Sequence, residues 1–343
     1  MDKAPRIVTA LSGSPAEQES TKQPTVTLVV IPRERFSHTE ASLESIYQNT
    51  DYPFALVYVD GNSPARVADF LRKTSIERDF RLIRTEHFLS NNQARNLGLT
   101  EVRAEYVVFI DNDCEVEPGW LRHLVNCAVE TGAWAVTPLY FLRTPSDQTI
   151  HTAGGTTRII ETDGVRTLSH DQSFTGRRYD DVSAELHRAE NDEIEFHCVL
   201  LRADAIRALG ALDEELLSMF EHEDLSLQIQ GAGGTIFAEP AAKVNYVVGP
   251  LDSFDIEFAR LRWSDDWNRQ STRHFRQKWG LDKHFGGFDI DWANAHRRRL
   301  TGERRSPAGI LDSGIGRVGR RLRRTSAYAR LRRSRYGARA DAN

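Results

Sequence analysis

The chain has 343 residues, 40% hydrophobic and 27% charged, an ordinary globular composition that excludes wholesale disorder and fibrous repeats. No apolar run exceeds six residues, Phe54 to Val59, which excludes a membrane-spanning helix of roughly 20 residues. The formal charge of −4 is unevenly spread: residues 297–343 hold 15 Arg against Glu303, Asp312 and Asp341, so a body of −16 precedes a tail of +12.

An acidic body argues against a nucleic-acid partner, whereas the tail could meet any polyanion. Residues 1–23 carry no apolar secretory stretch and read as a flexible N-terminal tail. Cys114, Cys127 and Cys198 are too few and too scattered for a disulfide framework or a zinc site. Together these features imply a soluble, cytoplasmic protein.

From Thr25 the chain alternates β-branched runs with amphipathic stretches. Thr25 to Ile31 reads as a buried strand stopped by Pro32. Ser37-x-x-Glu40 has the form of a capping box, with a helix to about Asn49. A second strand, Phe54 to Val59, ends at the turn-like Asp60-Gly61-Asn62. A helix from Pro64 to Arg78 leads to a short strand at Phe80 to Arg84. Ser90-x-x-Gln93 predicts another capped helix, to about Val102, and Glu105 to Ile110 is the most apolar strand. Pro118 suits the first turn of the next helix, and Ala133 to Pro138 resumes strand character. This spacing implies right-handed βαβ crossovers and an α/β fold with a mostly parallel, doubly wound sheet.

Residues 139–190 lose the rhythm and read as an insertion over the sheet's edge, part of a substrate pocket. Glu195 to Arg202 is again strand-like, followed by helices at Ala203 to Leu209 and Phe220 to Gln230. Strands at Thr235 to Ala238 and Lys243 to Val248 precede a long helical stretch, about Asp255 to Trp279. The resulting division is a tail over 1–23, an α/β domain over 24–285 and an Arg-rich tail over 286–343.

In an open α/β sheet, ligands bind outside the carboxyl ends of the strands. Asp60 ends the second strand, and Asp111 and Asp113 follow the most apolar one, so these carboxylates gather on one rim. Two Asp at i and i+2 on a non-helical turn can reach one divalent cation, with oxygen ligands suited to Mn²⁺ or Mg²⁺. A solvated turn that caps the next helix would use the same residues. Glu223-Asp224 fits a general base at that rim, and equally a helix first turn favoured by the dipole.

In order, these residues resemble the family 2 glycosyltransferases of the GT-A fold. The motifs are Val29-Val30-Ile31-Pro32, Val59-Asp60-Gly61-Asn62-Ser63, Ala94-Arg95-Asn96-Leu97-Gly98 and Tyr106 to Asp113 with its Asp111-Asn112-Asp113. Pro118-Gly119-Trp120-Leu121, Gly210-Ala211-Leu212-Asp213-Glu214 and Glu223-Asp224-Leu225-Ser226-Leu227 complete the set. The resemblance spans about Thr25 to Gly280. It implies non-processive transfer of a sugar, with inversion, from a UDP-, GDP- or dTDP-sugar to the hydroxyl of a polysaccharide, lipid-linked glycan or glycolipid. Pro32, Asp60, Arg95 and Asp111 would bind the donor nucleotide, Asp111 and Asp113 the metal, and Asp224 would be the catalytic base.

The chain departs from the family pattern at three places. Arg33-Glu34-Arg35 replaces the usual Tyr-Asn, Ser226 replaces an Asp, and Val244-Asn245-Tyr246 offers no histidine as a third metal ligand. Of the processive Gln-x-x-Arg-Trp motif only Arg262-Trp263 remains. A catalytically silent binding module would accommodate the departures but not the retained Asp111, Asp113 and Asp224. A sugar-1-phosphate nucleotidylyltransferase would need a Gly-rich loop where Pro32-Arg33-Glu34-Arg35 stands. In the tail, Ile310, Leu311, Ile315, Val318 and Leu322 fall on one helical stripe interleaved with Arg, a pattern for peripheral binding to an anionic membrane.

Overall fold

The computed structural model describes residues 7–11, 25–143 and 148–303. The stripe beyond Ile310 lies outside them. In chain order the first elements are β1 (Ile7–Leu11), β2 (Val26–Ile31), α1 (Thr39–Asn49), β3 (Ala55–Asp60), α2 (Ala65–Glu77), β4 (Arg81–Thr85) and α3 (Asn91–Leu99). Then come β5 (Tyr106–Asp111), β6 (Cys114–Val116), α4 (Trp120–Thr131), β7 (Ala135–Arg143), β8 (Gln148–Thr152), β9 (Gly155–Thr162) and β10 (Val165–Gln172). The rest are α5 (Tyr179–Val182), β11 (Ala189–Asn191), β12 (Cys198–Arg202), α6 (Ala203–Leu209), α7 (Glu221–Gly231), β13 (Ile236–Val247), α8 (Ile256–Arg262), α9 (Asp265–Trp279) and α10 (Gly287–Thr301).

Strands β4, β3, β2 and β5 pair in parallel, in that order. Their residues are buried on both faces, which is why they read as apolar runs rather than alternations. In β2, Val26, Leu28 and Val30 pack with α1, α2 and α4, while Val29 and Ile31 pack with α3, α6 and α7. Beyond β5 the sheet becomes mixed. β12 lies antiparallel between β5 and β7, and β7 then pairs in parallel with β13. β9 and β10 form a separate two-stranded hairpin.

Several expectations are corrected by long-range contacts. The capping box at Ser90 forms, with Ser90 accepting from Gln93 N and Gln93 accepting from Ser90 N. The one at Ser37 does not: Asp255 takes the Ser37 hydroxyl at 2.5 Å and the Phe36 and Ser37 amides at 2.6 and 3.0 Å. The helical stretch from Asp255 divides into α8 and α9, because Ser264 caps α9 by accepting from Trp267 N. The two strands after Gly234 are one, β13, with a register irregularity between Glu239 and Lys243.

Structure also enters stretches read as irregular. Ile7–Leu11, within the expected N-terminal tail, pairs with β4. The insertion over 139–190 contains the end of β7, β8 and the β9–β10 hairpin. Helix α10, within the expected 286–343 tail, packs on the body: Ala293 is fully buried, and Trp292 sits edge-on to Trp263 at 5.6 Å. No helix among the described residues is long and apolar enough to cross a membrane.

Candidate active site

The carboxyl ends of β3, β2 and β5 form one rim. Register sets Asp111 beside Ile31 and Asp60 two residues beyond the Val30–Tyr58 level. Asp60 and Asp111 are therefore two strands apart, about 10 Å. Asp111 and Asp113 are almost wholly buried. Asp111 Oδ2 lies 3.2 Å from His197 Nδ1 and 3.4 Å from Arg33 Nε. Its Oδ1 is 3.6 Å from an Arg95 Nη2 and accepts no hydrogen bond. Neither oxygen of Asp113 accepts one; its nearest cation is Arg35 Nε at 3.7 Å. Burial pushes Asp113 well above the carboxylate range, opposed by Arg33 and reinforced by the Asp111 charge. Buried carboxylate oxygens without donors are costly, and a cation between the two Asp would satisfy them. Their chemistry fits Mn²⁺ or Mg²⁺.

Arg33-Glu34-Arg35 explains itself here. Arg33 and Arg35 reach the two Asp, and Arg33 lies over the Tyr246 ring at 4.8 Å. Glu34 points into the body, where it accepts from Tyr246 Oη at 2.9 Å and Trp263 Nε1 at 2.8 Å, with His296 Nε2 at 3.6 Å. Burial alone would raise Glu34; the His296, Arg33 and Trp263 contacts overcome it and hold the carboxyl well below its usual range.

Arg95 comes from the capped helix α3. Gly98 lets that helix approach β2, since a Cβ there would stand 2.3 Å from Val29 Cγ1. The Arg95 guanidinium lies 3.7 Å from the centre of the Phe196 ring and donates to Asn92 Oδ1 at 3.0 Å. Burial lowers it to about 10, a value that leaves it charged near neutrality. Asp60 already has partners: its Oδ1 accepts from Ser63 N at 2.8 Å, and Arg84 pairs with Oδ2. Pro32 is buried beside Gly61, whose added Cβ would meet Pro32 Cγ at 3.0 Å.

Asp224 lies in the first turn of α7, after Phe220 in the left-handed region (φ 67°). Its Oδ1 accepts from Trp279 Nε1 at 2.8 Å, and its Oδ2 from Lys278 Nζ at 2.8 Å and Gln228 Nε2 at 2.6 Å. Lys278 also bridges to Asp213 at 2.8 Å. A carboxylate has about four acceptor positions, so roughly one stays open. Burial raises the Asp224 pKa, against the Lys278 contact. On the same turn, Glu221 pairs with Arg262 at 3.1 Å.

Residues 28–182 match the profile of glycosyl transferase family 2. Over these residues the chain is similar to the family 2 glycosyltransferases. Many solved structures are similar to the chain, among them the following two. The crystal structure of GalNAc-T7 with UDP, GalNAc and Mn²⁺ is 15% identical, with a TM-score of 0.52, covering 81% of this chain and 59% of its own. The S. aureus TarS 1-349 complex with UDP-GlcNAc is 11% identical, with a TM-score of 0.48, covering 76% of this chain and 74% of its own. Among curated proteins, none matches the sequence. The likeness to the first of these shows that the chain has the GT-A fold, and the chain spans 59% of the length of that structure.

One neighbour of the rim carboxylates went unread in the sequence. His197 precedes β12, whose antiparallel pairing sets Cys198 opposite Ile110, and Asp111 N donates to His197 O at 3.0 Å. Burial, then Arg33, lowers the ring to about 4, which keeps the imidazole neutral. It stacks on Tyr246 at 4.0 Å, and its ligand atom groups with those of Asp113 and Cys114 within 4.8 Å. The available signal was a lone polar residue inside the run Phe196 to Leu201.

Proposed function

We propose that the protein is an inverting, metal-dependent, non-processive glycosyltransferase that uses a nucleotide-diphosphate sugar. The observation that carries this reading is the rim itself: Asp113 is buried with both oxygens unbonded, beside Asp111, at the carboxyl ends of parallel strands. Asp111, Asp113 and neutral His197 would hold Mn²⁺ or Mg²⁺, which when bound supplies positive charge beside the departing diphosphate. UDP, named in the GalNAc-T7 structure, makes UDP-sugars the first donors to try. Arg33 and Arg95 orient Asp111 from two sides. Asp60, through its remaining acceptor positions, receives the N–H of the nucleotide base against Pro32.

Asp224 takes the proton of the acceptor hydroxyl as that oxygen attacks the anomeric carbon opposite the diphosphate. Burial strengthens it as a base, while Lys278 and Trp279 fix its direction. The acceptor is a polysaccharide, a lipid-linked glycan or a glycolipid, met at the cytoplasmic membrane face. Incubating the full chain with UDP-, GDP- and dTDP-sugars plus Mn²⁺ or Mg²⁺ tests the reading. Release of the nucleoside diphosphate with one of them is expected. Pyrophosphate exchange instead would mean nucleotidyl transfer, and neither reaction with any donor would mean a silent module.

A further inference from the structure

The β9–β10 hairpin meets the first turn of α7 through His170, His222 and Glu223. One ligand atom of each lies within 4.8 Å of the other two. His222 Nε2 is 3.2 Å from Glu223 Oε2, and the two imidazoles are 6.0 Å apart. Glu223 is 7% exposed, and its Oε2 is buried and accepts no hydrogen bond. His170 is tied at its other nitrogen: Nδ1 lies 3.1 Å from the hydroxyl of buried Thr157. With Nδ1 donating there, Nε2 keeps a lone pair for the cluster, the second-shell arrangement of a metal-bound histidine.

The surroundings are acidic. Glu193 Oε1 is 3.9 Å from His170 Nε2, and Glu195 and Asp289 add negative charge around His222 and Glu223. Four carboxylates thus face two imidazoles; burial raises Glu193 to about 9, which leaves it uncharged near neutrality, while Glu223 keeps its charge beside His222. Two imidazole nitrogens and one carboxylate oxygen, with a fourth position open, are a zinc donor set; Mg²⁺ and Ca²⁺ favour oxygen alone.

We infer that His170, His222 and Glu223 form a Zn²⁺ site that fastens the β9–β10 hairpin to α7. Ligands of a tetrahedral zinc lie about 3.3 Å apart, so the cluster contracts on binding. His170, with 28% of its side chain exposed, stands on a hairpin whose strands pair only with each other and has room to close. The site uses none of the residues assigned to sugar transfer, so it stands or falls separately from that reading.

The experiment is a calorimetric titration of the full chain with ZnCl₂, after EDTA treatment and dialysis and without nucleotide, with thermal melts before and after. Uptake of one Zn²⁺ per chain is expected, weakened roughly 100-fold by either His170→Ala or His222→Gln. The Tm rises by several degrees in the wild type and not in His170→Ala. Asp113→Ala, which alters the rim of β5, keeps the uptake. No uptake by the wild type, equal uptake by both histidine variants, or loss of uptake in Asp113→Ala overturns the assignment.

Discussion

At the end of β5, Asp113 is buried with neither oxygen hydrogen-bonded, and one oxygen of Asp111 is in the same state. In the first turn of α7, Asp224 is just as buried, yet its two oxygens accept three side-chain donors, from Gln228, Lys278 and Trp279. Both motifs read as acidic pairs in the sequence, but they are opposite environments. The first pair keeps three of its four oxygens free of hydrogen bonds, among arginines that stand 3.4–3.7 Å away, an arrangement that can admit a cation. The second is braced, which suits a group whose direction matters more than its availability to a metal.

The comparison can be broken most directly at its braced end. Replacing Asp224 with Asn should lower transfer by roughly 10²–10⁴-fold, the range for a general base, while calorimetric UDP affinity stays within about twofold. Turnover within a factor of a few of wild type would remove Asp224 from the base role. At the open end, Asp113→Ala should abolish the Mn²⁺-dependent part of UDP binding and cut transfer by roughly 10²–10³-fold. Equal UDP affinity for this variant and the wild type in the presence of metal would reject the metal assignment.

A milder change separates support from contact. Glu34→Gln leaves Arg33 and Arg35 in place but removes the charge between them, so metal affinity should change by about 10-fold, within the range of outer-shell effects. Parallel Mn²⁺ titrations of variant and wild type measure this, and unchanged affinity would make Glu34 a packing residue only. The smallest expected effect is on stability. Gly98→Ala drives a methyl into Val29 and should cost about 1–3 kcal/mol, read from denaturant midpoints. A variant as stable as wild type would mean that α3 can lift from β2, and Arg95 would then lose its fixed place.

The sequence by itself determined the parallel half of the sheet and the rim carboxylates. The runs in β2, β3 and β5 are apolar on both faces, the Ser90 capping box is closed within four residues, and Asp60, Asp111 and Asp113 sit at strand ends. All of these are local patterns that an isolated segment already carries. Only the tertiary structure decided the rest. His197 reaches Asp111 because β12 runs antiparallel beside β5, 86 residues away in sequence. Glu34 gains Tyr246, Trp263 and His296 from three later elements. Asp255 displaces the cap expected at Ser37, and Lys278 and Trp279 brace Asp224 from α9. The pairing of strands and the satisfaction of buried polar groups depend on which distant segments meet, and a buried carboxylate bonds to whatever donor the packing brings, so its partners leave no mark in the residues beside it.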